Sequence, residues 1–162
     1  MKKLAVPAIL ALLSACAPVV LQPGEPESAV LSKLGQPTNR YQLGNSDNGD
    51  RGVLLEYAHG PFGQVTYMAN IGPEGTLRNF EQVLTSGKFA AIEPGVANKY
   101  DVLRLIGAPG DTSPLELSHL QIWSYPYKQD NVWDAMMHVH FDRDGVVRKM
   151  MNGWDPHRPP GD

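Results

Sequence analysis

Two short stretches of the chain carry apolar residues at helical spacing, and each is followed by stretches in which apolar and polar residues alternate. In the second helical stretch, Val102, Leu105 and Ile106 fall on one face. Asn98 can cap the start of this helix, and Gly107 can end it, because glycine tolerates the positive φ needed there. The first stretch repeats the design with Val30, Leu31, Leu34 and Gly35. We therefore predict two short helices, which must pack on a sheet to be stable.

Alternation with a period of two predicts three strands after each helix. The predicted strands span residues 53–57, 65–71, 76–84, 121–127, 134–141 and 146–151. Turn residues at 60–63 and 142–145 join neighbouring strands, whereas the polar segments 42–52 and 110–119 are expected to be loops. The predicted fold class is α+β, with two tandem helix–loop–three-stranded antiparallel meander units and the helices on one face of the sheet. The two units could continue one sheet or pack as two layers.

The N-terminus has the pattern of a secretory signal. Two lysines precede an uncharged, mostly apolar run at residues 4–13, which at about ten residues is too short to span a bilayer. Leu-Ser-Ala then leads into Cys16, and this segment resembles a bacterial lipoprotein signal with its lipobox. The resemblance implies cleavage before Cys16, with lipid on its sulfur and amine, and Ala17 in place of aspartate resembles an outer-membrane address. The alternative, a buried helix of the mature fold, would end early at Pro18.

The two halves also share their turn and helix-end residues. A Pro-Gly pair precedes each helix, a Gly-x-Pro motif ends each one, and the copies lie 71 to 72 residues apart. Such self-similarity predicts an internal repeat. The predicted organisation is a signal peptide at 1–15, a lipidated tether at 16–23, a first unit at 24–86, a second unit at 87–154 and a flexible tail at 155–162.

Composition narrows the classes of function. The formal net charge is −3, and loss of the two leader lysines would make it −5, so nothing indicates a nucleic-acid-binding surface. Cys16 is the only cysteine, which excludes an internal disulfide. No P-loop, metalloprotease or serine-nucleophile motif occurs, so we expect a non-enzymatic protein without a cofactor.

The second unit carries a set of residues that resembles a known family. In chain order they are Phe89, Ile92, Pro94, Gly95, Val102, Ile106, Gly107, Pro109, Trp123, Tyr125, Phe141, Asp142, Asp144, Gly145, Val146 and Val147. They resemble the SmpA/OmlA (BamE) family of small outer-membrane lipoproteins over about 60 residues. The resemblance implies the same unit fold and an accessory role beside subunits of the β-barrel assembly machinery. It supplies no binding residue, because only fold-making positions match.

Two departures separate the chain from that family. The family has Met-Thr or similar after Pro-Gly, where this chain has Val96 and Ala97, and its typical member is a single unit. A tandem pair of units also resembles the secreted β-lactamase-inhibitory proteins, which share the fold and use a concave, aromatic sheet face. This second resemblance implies a different partner, a periplasmic hydrolase.

Two groups of residues are candidates for a site. His138, His140 and Asp142 alternate along one predicted strand and could share a metal, but the alternative is that they face water while their neighbours face the core. Trp123 and Tyr125 are expected in the core. Tyr127 and Trp133 flank a predicted hairpin turn, and Phe62 lies at the equivalent tip of the first unit. These three aromatic residues are the candidate partner-binding residues, since buried aromatics dominate interface energies.

The sequence thus predicts a non-enzymatic lipoprotein anchored in the outer membrane, facing the periplasm and binding envelope proteins. The best specific role is outer-membrane protein assembly or envelope integrity, with barrel-assembly subunits as partners. The alternative is a lipid-anchored binder or inhibitor of a periplasmic hydrolase such as a β-lactamase. A metal-binding or catalytic domain depends only on the strand at 138–142.

Overall fold

A computed structural model describes residues 20–44, 51–115 and 119–158. Within these ranges the first half forms α1 (Glu27–Leu34), β1 (Asn39–Leu43), β2 (Gly52–Ala58), β3 (Thr66–Ile71) and β4 (Leu77–Gln82). The second half forms α2 (Ser86–Ala90), α3 (Lys99–Ile106), β5 (Asp111–Leu115), β6 (Leu120–Gln129), β7 (Trp133–Phe141) and β8 (Val147–Trp154). Cys16 and the polar residues 45–50 lie outside the described ranges.

The fold is mostly β, and this corrects the predicted α+β class. The strands form two separate antiparallel sheets of four strands each, in the orders β1-β2-β3-β4 and β5-β6-β7-β8. Each sheet gains an edge strand that the sequence did not reveal, β1 in one half and β5 in the other. Both strands are rich in polar residues. β5 contains Pro114, and in β1 only Tyr41 and Leu43 alternate with polar residues, a run too short to be recognised as a half-buried strand.

The two predicted helices, α1 and α3, lie where the sequence predicts, whereas the short α2 was not predicted. The Asn98 side chain accepts from the Tyr100 and Asp101 backbone N–H groups, while the Asp101 side chain accepts from the Asn98 N–H, which completes a capping box. Gly35 and Gly107 follow the two longer helices with φ of 81° and 83°. Their ψ values, −165° and −170°, differ from the left-handed helical region and lie where almost only glycine is found.

The helices and sheets stack in layers. Val30 of α1 packs on one face of the first sheet with Leu55, Ala69, Ile71 and Leu77. The opposite face carries a second cluster, which consists of Leu43, Leu54, Met68 and Val83. Arg104 and Leu105 of α3 face this second cluster across a cavity of about 360 Å³. The layer order is therefore α1, first sheet, α3, second sheet.

The largest core lies between α3 and the inner face of the second sheet, which we define as the face carrying Trp123, Tyr125 and Tyr127. Val102 and Ile106 of α3 pack there against these aromatics. Phe89, the buried residue of α2, contacts Tyr127 with ring centroids 4.8 Å apart. The aromatic alternation of β6 thus supplies the core, as expected for Trp123 and Tyr125.

The two halves repeat several irregular features. Isolated bridges join Pro26 to Thr76 and Asn98 to Val146, so the residue before each long helix pairs with the turn after the third strand. Each sheet also has a register shift in its third strand, at 70/71 and at 140/141. These are the features that duplication of one unit would leave.

Candidate protein-binding surface

The structure divides the three predicted partner-binding aromatics. Tyr127 is only 2% exposed, because it has the same orientation in β6 as Trp123 and Tyr125 and therefore points into the core. This corrects the expectation that Tyr127 lies at an exposed hairpin tip. Trp133 is 63% exposed and Phe62 is 54% exposed, so these two remain available.

A second tryptophan, missed at the sequence level, accompanies Trp133. Trp154 at the end of β8 is 64% exposed and pairs with Ala135 of β7. The two indoles border a cleft of about 390 Å³, which has Ala135 as a small residue between them. The other residues that line the cleft are Gln129, Asp134, Asn152 and Gly153. Trp154 lies on the inner face together with Met150, and the two-residue alternation along β8 could have predicted this orientation.

Polar groups beside the tryptophans are already paired. Asn152 donates from Nδ2 to Gln129 Oε1 at 2.7 Å. Asp134 forms an ion pair with Lys128 at 2.8 Å and accepts from Gln64 Nε2 at 2.6 Å. The Lys128 hydrogen bond, and then that of Gln64, lower the pKa of Asp134 below its usual value. The polar side chains beside the tryptophans are therefore already hydrogen-bonded within the protein, and the surface left for a partner is mainly aromatic.

Phe62 is brought to the same end of the molecule. The turn between β2 and β3 carries both Phe62 and Gln64, and Gln64 reaches Asp134, the residue after Trp133. The Phe62 ring lies 4.4 Å from the ring of His157, and its carbonyl accepts from Arg158 at 2.6 Å. We call Phe62, Trp133 and Trp154 the aromatic end. Sequence offset alone could not place residues about 70 positions apart side by side.

The start of the predicted tail fixes this arrangement. Asp155 is fully buried and forms an ion pair with Arg158 at 2.7 Å. Arg158 also donates a hydrogen bond to the turn that carries Phe62. Residues 155–158 therefore form an ordered turn against the fold, whereas 159–162 lie outside the described part of the chain.

The predicted metal candidates do not converge. His138 and His140 lie on the outer face of the second sheet, where Ser124 Oγ is 2.9 Å from His138 Nδ1. Burial lowers the pKa of both histidines, and His140 is buried rather than facing water as the alternative expected. Asp142 instead accepts from its own turn and from Arg148 Nε at 2.6 Å. Across residues 20–44, 51–115 and 119–158, no group of three His, Cys, Asp or Glu could hold a metal.

A buried carboxylate links the two halves and was not predicted. Glu56 of β2 is fully buried, and its Oε2 accepts from Tyr41 Oη at 2.5 Å and from the Ala108 backbone N–H at 3.2 Å. Burial, and then the neighbouring carboxylate, raise the pKa of Tyr41 well above its ordinary value. Burial likewise raises the pKa of Tyr125. The Oε2 atom therefore links the two halves, because Ala108 belongs to the second half and Glu56 to the first, while Oε1 has no hydrogen-bond partner among the described residues.

Two observations concern attachment to a membrane. Cys16, the predicted lipidation site, lies outside the described ranges. Among the residues that the structure describes, no helix has the length and apolar character to cross a bilayer.

The chain matches no protein-family model and no curated protein. Among solved structures it is similar to a DUF4309 family protein, YjgB, from Bacillus subtilis subsp. subtilis str. 168. The identity is 14%, the match covers 79% of this chain and 77% of that one, and the TM-score is 0.34.

Proposed function

We propose that this chain is a non-enzymatic lipoprotein, anchored in the outer membrane through Cys16 and binding envelope proteins through the aromatic end. The lipoprotein-like leader supports the anchor, and the resemblance of residues 89–147 to the SmpA/OmlA (BamE) pattern supports a role in outer-membrane protein assembly. Subunits of the β-barrel assembly machinery are then the partners to test first.

The observation that carries the binding surface is the pair of exposed indoles bordering one cleft. Large apolar side chains exposed together usually mark an interaction site, whereas single exposed ones do not. Tryptophan is also the residue type most enriched among those that dominate binding energy, with losses of about 2 kcal/mol or more on truncation. Trp133 and Trp154 flank a small residue, so a partner side chain can enter between them.

The hydrolase-inhibitor alternative requires an exposed, aromatic sheet face. In this fold Trp123 and Tyr125 are buried under α3, and the eight strands form two sheets instead of one concave sheet. Among the described residues, the aromatic side chains of β6 do not form such a face, and we therefore propose envelope partners at the aromatic end first.

In vivo photo-crosslinking tests the proposal. A photoreactive phenylalanine would replace Phe62, Trp133 or Trp154, and Glu74 at the opposite end of the first sheet is the control position. We expect crosslinks to barrel-assembly subunits from the aromatic end and none from position 74. Crosslinks to other envelope proteins would overturn the assembly role, and a pattern identical to that of position 74 would overturn the surface itself.

A further inference from the structure

The edge of the second sheet that β8 forms is open to solvent along residues 150–154. β8 is the last strand of the second sheet, paired with β7 on one side only. At its start, Val147 is covered on the open side, because its N–H donates to Ala97 O at 2.8 Å and its carbonyl accepts from Gly95 N–H at 2.7 Å. Beyond the charged pair at 148–149, the edge from residue 150 to residue 154 is largely exposed.

The direction of the backbone groups follows from the ladder. The Asp155 N–H points to Asp134 O of β7, at 3.5 Å. The register shift at 140/141 places one extra residue in β8 after Val147 and so changes which residues point outward. Because main-chain groups alternate in direction along the antiparallel strand beyond it, those of Met150, Asn152 and Trp154 point away from β7. Among the described residues, none forms a backbone hydrogen bond with these outward groups. Three N–H and three carbonyl groups thus form a free ladder.

This segment also lacks the usual protection of an edge. Proteins discourage edge pairing with charged residues or proline. β8 has such residues only at its start, as Arg148 and Lys149, while the other three edge strands have Arg40 in β1, Arg78 and Glu81 in β4, and Asp111 and Pro114 in β5. The five residues from 150 to 154 are Met-Met-Asn-Gly-Trp, without a charge or a proline.

We propose that the β8 edge pairs with the β8 edge of a second copy of this chain, antiparallel and centred on Asn152. In that register Met150 lies opposite Trp154 of the second copy on the inner face, a favourable sulfur–aromatic contact. Met151 lies opposite Gly153 of the second copy on the outer face, so a large side chain meets the smallest one. The segment is therefore complementary to itself, with no like charges opposed.

The result is a two-fold symmetric dimer in which two four-stranded sheets join into one of eight strands. A contact of five residues per copy is small, below the size of a standard interface, so the dimer is expected to be weak in dilute solution. Trp154 contributes to the dimer contact and also borders the cleft proposed for an envelope partner, so dimer and partner would compete for Trp154, whereas Trp133 and Phe62 stay free. The dimer does not depend on the function proposed above.

Disulfide trapping tests the register. In a Cys16→Ser background of the full-length protein in detergent, Asn152→Cys places two thiols on directly opposed residues, with Cα atoms about 5.5 Å apart, within disulfide range. Lys149→Cys is the matched control, since it is exposed on the same edge but its two copies would stand about 20 Å apart. Under mild oxidation we expect a disulfide-linked dimer from position 152 and not from 149.

Backbone substitution tests the hydrogen bonds. Asn152→Pro removes one outward N–H and leaves the β7 ladder intact, whereas Asn152→Ala removes the same side chain and keeps the N–H. We expect light scattering to show a concentration-dependent dimer for wild type and Asn152→Ala, and a monomer for Asn152→Pro with an unchanged circular dichroism spectrum. Equal dimerisation of the two variants would overturn the proposal. So would equal trapping from positions 149 and 152, or trapping of Asn152→Cys on a different protein in cells.

Discussion

Replacing the buried Glu56 at the junction should lower the free energy of unfolding by more than one hydrogen bond contributes, because several donors lose their acceptor. Glu56→Ala removes the acceptor for Tyr41 Oη, the Ala108 N–H and, at 3.3 Å, Asn39 Nδ2. A hydrogen bond to a charged group contributes about 1.5–3 kcal/mol, and a buried donor left without a partner costs about 1–3 kcal/mol. These donors share one oxygen, so their contributions do not add. We expect a loss of roughly 2–4 kcal/mol, since one strong hydrogen bond is lost and at least one buried donor is left without a partner.

Urea unfolding provides the measurement. Glu56→Gln keeps an acceptor oxygen but not the charge, so we expect it to lose about 1–2 kcal/mol. Glu81→Ala is the control, because Glu81 forms an ion pair with Lys88 at 2.8 Å but its side chain is 41% exposed. Exposed pairs contribute less than about 1 kcal/mol.

The junction also predicts a change in cooperativity. All three tryptophans belong to the second half, so their fluorescence reports that half, whereas circular dichroism reports both. The two transitions should coincide in wild type and move apart in Glu56→Ala, since the buried one of several hydrogen-bonded links between the halves is lost. A midpoint for Glu56→Ala equal to that of Glu81→Ala would refute the reasoning.

Three further predictions concern the helix ends and the outer face. Gly35→Ala and Gly107→Ala each place a side chain in a backbone conformation that costs about 1–3 kcal/mol. Chemical denaturation should show the larger loss of stability for Gly107→Ala. A Cβ at position 107 would lie 3.0 Å from the buried carboxylate, whereas nothing lies within 4 Å of a Cβ at position 35. Asn98→Ala should lose about 1 kcal/mol by the same measurement, since it removes the acceptor of the capping box; no loss would mean that the cap is dispensable. Burial lowers the pKa of His138 and His140 below 6.5, so on acidification the unfolded chain takes up protons before the folded chain does. Stability should therefore fall as the pH drops from 6.5 through the folded-state pKa. Replacing both histidines with glutamine should make the urea midpoint less dependent on pH in that range, and an unchanged slope would contradict the assignment.

Local chemistry predicted the parts of the fold that depend on near neighbours. The cap of α3 acts within one helical turn, so Asn98 could be assigned from its position alone. β6 and β7 are long and alternate clearly, and the structure places them within two residues of the predicted bounds. Positive φ at Gly35 and Gly107 followed from their place after an apolar stripe.

What the sequence could not predict depends on contacts between distant residues. β1 and β5 are edge strands whose pairing with β2 and β6 is supplied by neighbours rather than by their own apolar pattern. Glu56 looked like an ordinary strand residue until Ala108, 52 positions away, closed over it. Two of the three residues of the aromatic end, Phe62 and Trp133, were predicted, because large aromatic residues at turns can be recognised from the local sequence. Trp154 was missed because its exposure depends on how β8 ends.

The layered arrangement sets the number of units that this chain can hold. Met68 of the first sheet, on the face covered by α3, pairs with Glu56. The same place in the second sheet is taken by His138, which pairs with Ser124, and Lys149 lies on that face too. In stacked repeat proteins, a terminal repeat with a polar outer side acts as an end cap and prevents further stacking. His138 and Lys149 would both lose contact with water if a third unit stacked on this face, so such an extension would require apolar replacements at these two positions first.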